Sequence, residues 1–157
     1  MSESYYHKQV KNTIIELAKG SKKYKRILKE KTIPIVHPNK GFIIRYNPEI
    51  ILITTSGGKY IFEVLGSQLR DYNLILSDII QAFISENVKK VFFISKTKAG
   101  ADLTKNLSRT LGAALEEHGF YKRDLPEVTV YEITYKDVKS KNNLKKILKE
   151  YSKKDKW

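Results

Sequence analysis

The stretch that decides the fold is IILITTSGGKYIFEVL, residues 50–65. Its two halves, Ile50–Thr55 and Tyr60–Leu65, are short runs rich in β-branched and aromatic residues, and the glycine turn Ser56-Gly57-Gly58 between them favours a hairpin. A third run of this kind, Gly41–Tyr46, lies upstream across a proline break. The three runs together predict a meander of antiparallel strands.

Helical and strand patterns alternate on the C-terminal side of this meander. We expect a long helix over about residues 69–86, a strand at Val88–Ser95, a helix at Leu103–His118, a strand at Glu127–Thr134 and a lysine-rich helix over about 137–152.

Two further helices are expected before the meander, over residues 4–19 and 22–30, so the predicted element order is ααβββαβαβα. Hairpins come first and helix-linked strands second, which favours an α+β fold: a single mixed sheet of about five strands with helices packed on it. The 157 residues are the length of one domain, so we expect residues 1–157 to form a single α+β domain with basic N-terminal helices and a Lys-rich C-terminal helix.

The composition excludes several functional classes. The chain has no cysteine, which excludes disulfides, thiol catalysis, iron–sulfur clusters and Cys-ligated zinc, and its three histidines lie far apart in the sequence. No apolar run approaches the roughly 18 residues needed to span a membrane, and the first residues lack the apolar segment of a secretory signal. We therefore expect a soluble intracellular protein with no membrane partner.

The net charge of +13 is concentrated at the two ends of the chain. Residues 1–31 hold nine basic and three acidic residues, residues 136–157 hold nine and three, and the segment between them is close to neutral. Two basic ends around an apolar centre suit a polyanion such as nucleic acid. The alternative is a charged surface that serves solubility or heat adaptation.

Glu86 is anomalous in the long predicted helix. At about 100° per residue it projects between Ile75 and Ile79, on the apolar side, and it lies at the C-terminal end, where the helix dipole disfavours an anion. Such a carboxylate should be partly desolvated, and violations of this kind are enriched at functional sites. The alternative is that the helix ends at Ser85 and that Glu86-Asn87 turns into solvent.

Glu63 is the second notable acid, because it lies between Ile61 and Leu65 on one face of a predicted strand. Together with Pro48-Glu49 upstream, it resembles the restriction-endonuclease-like pattern of an acid, a hairpin and then E-x-K. The sequence departs from that pattern at its third position, where Leu65 replaces the lysine that positions or activates water beside the metal. Gln68 is only a remote substitute.

The stretch Lys96–Asp102 leaves a strand and enters a helix, so its backbone N–H groups and its two lysines, Lys96 and Lys98, could hold a phosphate. The alternative is an ordinary loop with a helix-capping residue.

The run SDIIQAFISEN, residues 77–87, the strand after it and the length of the chain resemble the small nucleases encoded by filamentous viruses of acidothermophilic archaea. The resemblance implies an α+β protein that cleaves linear double-stranded DNA in the host cytoplasm, with the catalytic acid at Glu86. The resemblance also implies that the protein belongs to no large nuclease family.

These observations together predict a deoxyribonuclease in which Glu86 is the general base or a ligand of Mg²⁺. A single carboxylate rarely holds Mg²⁺ alone, so Glu63 or Asp78 is expected as a second acid, while Lys96 and Lys98 hold phosphate. The main alternative is a basic DNA-binding protein without catalysis. A nucleotidyl-transfer enzyme ranks lower, because the chain has no closely spaced D-x-D or D-x-E pair.

Overall fold

The computed structural model describes residues 4–31, 33–36, 43–65, 72–119 and 125–157. Helices and strands within these ranges are numbered in chain order. They are α1 (Tyr5–Lys19), β1 (Tyr24–Lys29), β2 (Ile33–Val36), β3 (Ile43–Tyr46), β4 (Ile50–Thr54), β5 (Lys59–Val64), α2 (Tyr72–Ile84), β6 (Val88–Ser95), α3 (Lys98–Glu117), β7 (Glu127–Glu132), α4 (Tyr135–Val138) and α5 (Lys141–Asp155).

A mixed five-stranded sheet, in the order β1-β4-β5-β6-β7, forms the centre of the fold. β4 is antiparallel to both β1 and β5, whereas β5, β6 and β7 run parallel to one another. A tight turn suffices to join the antiparallel strands β4 and β5, while the parallel pairs need the longer crossovers that α2 and α3 provide. The predicted α+β class with one mixed sheet of five strands is confirmed.

Apolar layers cover both faces of this sheet. Phe62 and Phe92 point into one layer with residues of α1 and α5, and Ile61 and Phe93 point into the other with residues of α2 and α3. Successive residues of β5 and β6 are therefore both buried, which explains their continuous apolar runs. Trp157 also packs in the first layer, against the Phe62 ring at a centroid distance of 4.8 Å.

Two of the predicted elements are wrong. The expected helix over 22–30 is strand β1, which forms an edge of the sheet and pairs with β4 from Lys29 opposite Ile50 to Tyr24 opposite Thr54. The expected strand Gly41–Tyr46 does not join the meander, because its described part, β3, pairs with β2 in a separate two-stranded sheet. For β1, pairing with the distant strand β4 overrides the local pattern, whereas β3 pairs with its near neighbour β2.

The remaining elements agree with the prediction except at their ends. α2 ends at Ile84, α3 already begins at Lys98, and the lysine-rich tail is divided into α4 and α5. The division follows from two capping residues, since Thr134 accepts a hydrogen bond from the backbone of Asp137, and Ser140 accepts one from Asn143. None of the helices in the described ranges is long and apolar enough to cross a membrane.

Candidate functional site

Glu86 lies in the exposed turn between α2 and β6. The helix ends two residues before it, where the Ser85 hydroxyl donates to the Gln81 carbonyl at 2.5 Å and Asn87 then adopts a left-handed conformation with φ +60°. The expectation that Glu86 is pinned against the apolar face of the helix is therefore wrong, because the helical projection no longer applies at residue 86. The structure agrees with the alternative that the sequence left open, in which Glu86 and Asn87 turn into solvent.

Three hydrogen bonds join this turn to the β4–β5 hairpin. The Lys59 side chain donates to the Glu86 carbonyl at 3.1 Å, and the Lys59 backbone donates to the Asn87 carbonyl at 2.9 Å. The Asn87 side-chain amide donates to the carbonyl of Gly57 at 2.8 Å. Gly57 has φ +94°, which a residue with a side chain rarely adopts. Glu86 is therefore held at a defined position beside the hairpin, although its side chain is exposed.

A groove of about 660 Å³ lies between these two turns and the C-terminal end of α5. The hydroxyl residues Thr54, Thr55 and Ser56 of the hairpin line one part of it. The described lining has no carboxylate and contains four lysines, namely Lys23, Lys89, Lys90 and Lys156. Cations and hydroxyl donors around a concave surface can bind the oxygens of a phosphodiester. We call this surface the lysine groove.

The lysines of the groove differ in the contacts that their side chains make. Lys90 is anchored, because its amine donates to the Asp155 carbonyl at 2.9 Å and lies 5.1 Å from the centre of the Tyr60 ring. The Lys89 side chain packs against Gly58. A Cβ atom at residue 58 would lie only 2.9 Å from the Cγ of Lys89. The amines of Lys89 and Lys23 are exposed at the groove. The site thus combines one anchored cation with exposed ones that are open to a phosphate backbone.

The lysines that the sequence selected for phosphate lie elsewhere. The Lys96 amine lies 4.8 Å from the centre of the Tyr6 ring and 5.0 Å from that of Tyr135, and burial lowers its pKa. Lys98 is the first residue of α3, where the Thr97 hydroxyl already accepts from the backbone of Gly100 at 3.1 Å. Both lysines follow the C-terminal end of β6.

Glu86 lies two residues before Val88, the first residue of β6, and so at the opposite end of this strand. The eight residues of β6 rise about 3.3 Å each, which separates its two ends by more than 20 Å. The fold therefore places Glu86 and these lysines at opposite ends of the sheet, and the role of Lys96 and Lys98 in holding phosphate stays a prediction.

Glu63 is a buried acid at a distance from Glu86. It is 7% exposed, and its Oε1 accepts a hydrogen bond of 2.8 Å from the Tyr46 hydroxyl. Burial raises the pKa of Glu63, and the charges of Asp78 and Glu49 raise it further, while the pKa of Asp78 is raised by burial to about 6. Asp78 and Glu63 therefore belong to one electrostatic cluster, together with Tyr46.

This cluster is separated from Glu86 along the sheet. Glu63 is paired with Phe93, five residues along β6 from Val88, which is about 17 Å along the strand. The fold therefore separates Glu63 from Glu86 along the strand, and the assignment of Glu63 or Asp78 as a second acid stays a prediction. In the described ranges no group of three His, Cys, Asp or Glu side chains could hold a metal ion. Any Mg²⁺ at Glu86 would keep most of its water ligands and take oxygens from a bound phosphate.

Sequence reasoning missed the residues of the lysine groove. Lys23 comes from the basic N-terminal segment and Lys156 from the basic C-terminal one, and the fold brings these two ends of the chain together at the β4–β5 hairpin. The concentration of basic residues at the two ends of the chain was the feature of the sequence that could have indicated this groove. The Ser56–Lys59 stretch is a hairpin turn, closed by a bond of 2.9 Å from the Thr54 backbone N–H to the Gly58 carbonyl.

The fold and the site together define an α+β protein with a mixed sheet between two helical layers and a cationic groove at one end of that sheet. No protein-family profile matches the chain, and no curated protein or solved structure has significant similarity to it.

Proposed function

We propose that the protein is a deoxyribonuclease that binds double-stranded DNA at the lysine groove and hydrolyses a phosphodiester bond beside Glu86. The observation that carries this proposal is the position of Glu86, an exposed residue whose backbone carbonyl accepts a hydrogen bond from Lys59, next to a groove lined by four lysines. An acid beside a phosphate-binding surface is the minimal arrangement for hydrolysis of a phosphodiester.

The charge of the groove supports a polyanionic substrate. Its described lining carries four positive charges and no negative one, and Lys59 lies beside it. Contacts of lysines with phosphates release counterions, so the affinity for DNA falls steeply as salt rises. These contacts do not read the base sequence, and we therefore expect cleavage of duplexes of any sequence.

The exposure of Glu86 suits its proposed role. A general base must reach the water that attacks phosphorus, and a carboxylate in the apolar core could not meet a DNA backbone. The water transfers a proton to Glu86 as its oxygen bonds to phosphorus, and the bond to the sugar oxygen breaks as that oxygen takes a proton from solvent water. Alternatively, Glu86 would be one ligand of Mg²⁺, which would supply a water of lowered pKa and a positive charge beside the phosphate.

The test is to replace Glu86 by Gln and to measure cleavage of an end-labelled linear duplex with Mg²⁺ and with EDTA. We expect cleavage to fall at least 100-fold, the loss typical of a general base, with DNA affinity in EDTA and melting temperature nearly unchanged. Glu132→Gln is the matched control, because Glu132 is exposed at the opposite end of the sheet. Cleavage that survives Glu86→Gln would remove this residue from the site.

A basic DNA-binding protein without catalysis is the second candidate. The absence of a three-residue acidic metal site from the described part of the chain favours it, because many DNA-cleaving sites use several carboxylates. It requires the same groove but not Glu86. Retention of DNA by the purified protein, with no cleavage in Mg²⁺ or Mn²⁺, would establish this candidate and refute the nuclease.

A further inference from the structure

A second cavity of about 490 Å³ lies among α2, α3 and the first residues of β7. Its volume is within the range of small-molecule sites. Most of its surface is apolar, from side chains that include Phe83, Leu125 and Val128. Among the described residues it has no lining residue in common with the lysine groove, so a ligand here is separate from the proposed nuclease site.

Ser108 is a polar residue in the wall of this cavity. It is 7% exposed, and its hydroxyl has no hydrogen-bond partner in the described part of the chain. One turn earlier, the Thr104 hydroxyl donates to the Gly100 carbonyl at 2.7 Å, which is the usual arrangement for a hydroxyl inside a helix. A buried hydroxyl without a hydrogen-bond partner destabilises the protein. A ligand group that formed a hydrogen bond with it would therefore gain binding free energy.

Arg109 and Gly112 complete the site on α3. Within the described ranges Arg109 forms no ion pair, and its side chain is exposed at the rim of the cavity. At Gly112 a Cβ would meet no atom within 4 Å, so the absence of a side chain leaves this part of the cavity open. The carboxylates of Glu116 and Glu127 also line the cavity and disfavour ligands with several negative charges.

We propose that this cavity binds a small amphiphilic molecule with an aromatic or alkyl body and a single anionic group. The body packs on Phe83, Leu125 and Val128, and the anionic group pairs with Arg109. Ser108 lies in the wall of the same cavity, and its hydroxyl has no other partner in the described part of the chain. Guanidinium and hydroxyl donors in one cavity suit a carboxylate or sulfonate.

The probe for this proposal is 8-anilinonaphthalene-1-sulfonate, which has an aromatic body and one negative charge. Its fluorescence is titrated with the folded full-length protein, and N-phenyl-1-naphthylamine serves as the same body without the charge. Gly112→Leu fills the cavity and should weaken both probes at least 10-fold. Ala114→Leu, at an exposed position of the same helix outside the cavity, should leave both unchanged.

Two further variants test the polar end. Arg109→Gln should weaken the sulfonate probe about 10-fold and leave the neutral probe unchanged. Ser108→Ala should weaken binding of the sulfonate probe. It should also raise the melting temperature of the ligand-free protein, because it removes an unsatisfied hydroxyl. If Ser108 only stabilised the fold, the same substitution would lower the melting temperature. Sulfonate binding that Gly112→Leu and Arg109→Gln both leave intact would show capture by surface lysines and overturn the proposal.

Discussion

The Tyr46 hydroxyl donates a hydrogen bond of 2.8 Å to Oε1 of Glu63, and both residues are buried. The bond joins β3, in the small sheet, to β5, in the centre of the large one. The neighbouring acids Asp78 and Glu49 raise the pKa of Glu63 beyond the effect of burial. A buried carboxyl group at the contact between the two sheets therefore makes their packing sensitive to pH.

The first prediction concerns stability against pH. The folded-state pKa values of Glu63 and Asp78 are raised, so their contribution to stability is complete below their unfolded pKa values, near 4, and is lost as pH rises through the folded values, about 6 for Asp78. The melting temperature should fall between pH 4 and 7. Glu63→Gln retains an acceptor for Tyr46 and should reduce this fall, so that the variant is the more stable protein at pH 7.

Glu132→Gln is the control for this experiment, since Glu132 is exposed and should leave the pH profile unchanged. The carboxylates of Glu16 and Glu30 act in the opposite direction, because Lys145 and Lys11 lower their pKa values. The stability that these two ion pairs contribute is lost at lower pH than the range around pH 6 in which Asp78 titrates. A pH profile of Glu63→Gln that runs parallel to that of the wild-type protein would contradict the prediction.

The second prediction separates Glu63 from the chemistry. Because about 17 Å of strand separates it from Glu86, Glu63→Gln should leave the rate of DNA cleavage within a factor of two at pH 7. Cleavage is measured with the linear duplex used for Glu86. A loss equal to that of Glu86→Gln would place the active site at the buried cluster instead.

The third prediction concerns the salt dependence of DNA binding. Each lysine that contacts a phosphate contributes about 0.9 to the slope of log affinity against log salt. Lys23→Gln combined with Lys89→Gln should reduce that slope by roughly two, with little change in stability. The affinity is measured in EDTA between 50 and 200 mM salt, conditions in which such contacts dominate. Lys8→Gln with Lys105→Gln, two exposed lysines outside the groove, should leave the slope unchanged.

The fourth prediction concerns Asn87, which holds the Glu86 turn against the hairpin. Asn87→Gly keeps the left-handed backbone and loses only the side-chain bond to Gly57. Asn87→Ala loses that bond and also strains the backbone, and should be less stable than Asn87→Gly by about 1 kcal/mol. Chemical denaturation measures both. Equal stability of the two variants would show that the left-handed turn relaxes without cost.

The fifth prediction concerns Trp157. Its ring is 4% exposed against Phe62 and Phe92, and its Nε1 donates to the Tyr131 hydroxyl at 3.1 Å. Trp157→Ala should cost about 3–5 kcal/mol of unfolding free energy, whereas Trp157→Phe keeps an aromatic ring and should cost less. Urea denaturation followed by circular dichroism measures both, and a cost below 1 kcal/mol for Trp157→Ala would contradict the packing.

Local patterns were sufficient for most of the fold. The hairpin of β4 and β5 follows from two β-rich runs around a glycine turn, and the parallel strands follow from the intervening helical segments. Strand β1 was missed because its apolar residues, Tyr24, Ile27 and Leu28, also fit one face of a helix. Its partner in β4 is more than 20 residues away, and only that pairing selects the strand.

The candidate site depended more on tertiary structure. Helical periodicity predicted a desolvated Glu86, but periodicity has no meaning beyond Ile84, where the helix ends. The buried environment of Glu63 could be inferred from its apolar neighbours, whereas its partner Tyr46 belongs to another sheet and could not.

The amino-acid sequence by itself determined the mixed sheet, the absence of thiol chemistry and the two basic ends, because these follow from composition and from local patterns of apolar and turn residues. Only the tertiary structure decided that Lys23 and Lys156 meet in one groove and that Glu86 lies beside it, while Lys96 is far away. Distances between charged side chains depend on how strands pair across the whole chain, and that pairing results from burial of both faces of the sheet at once.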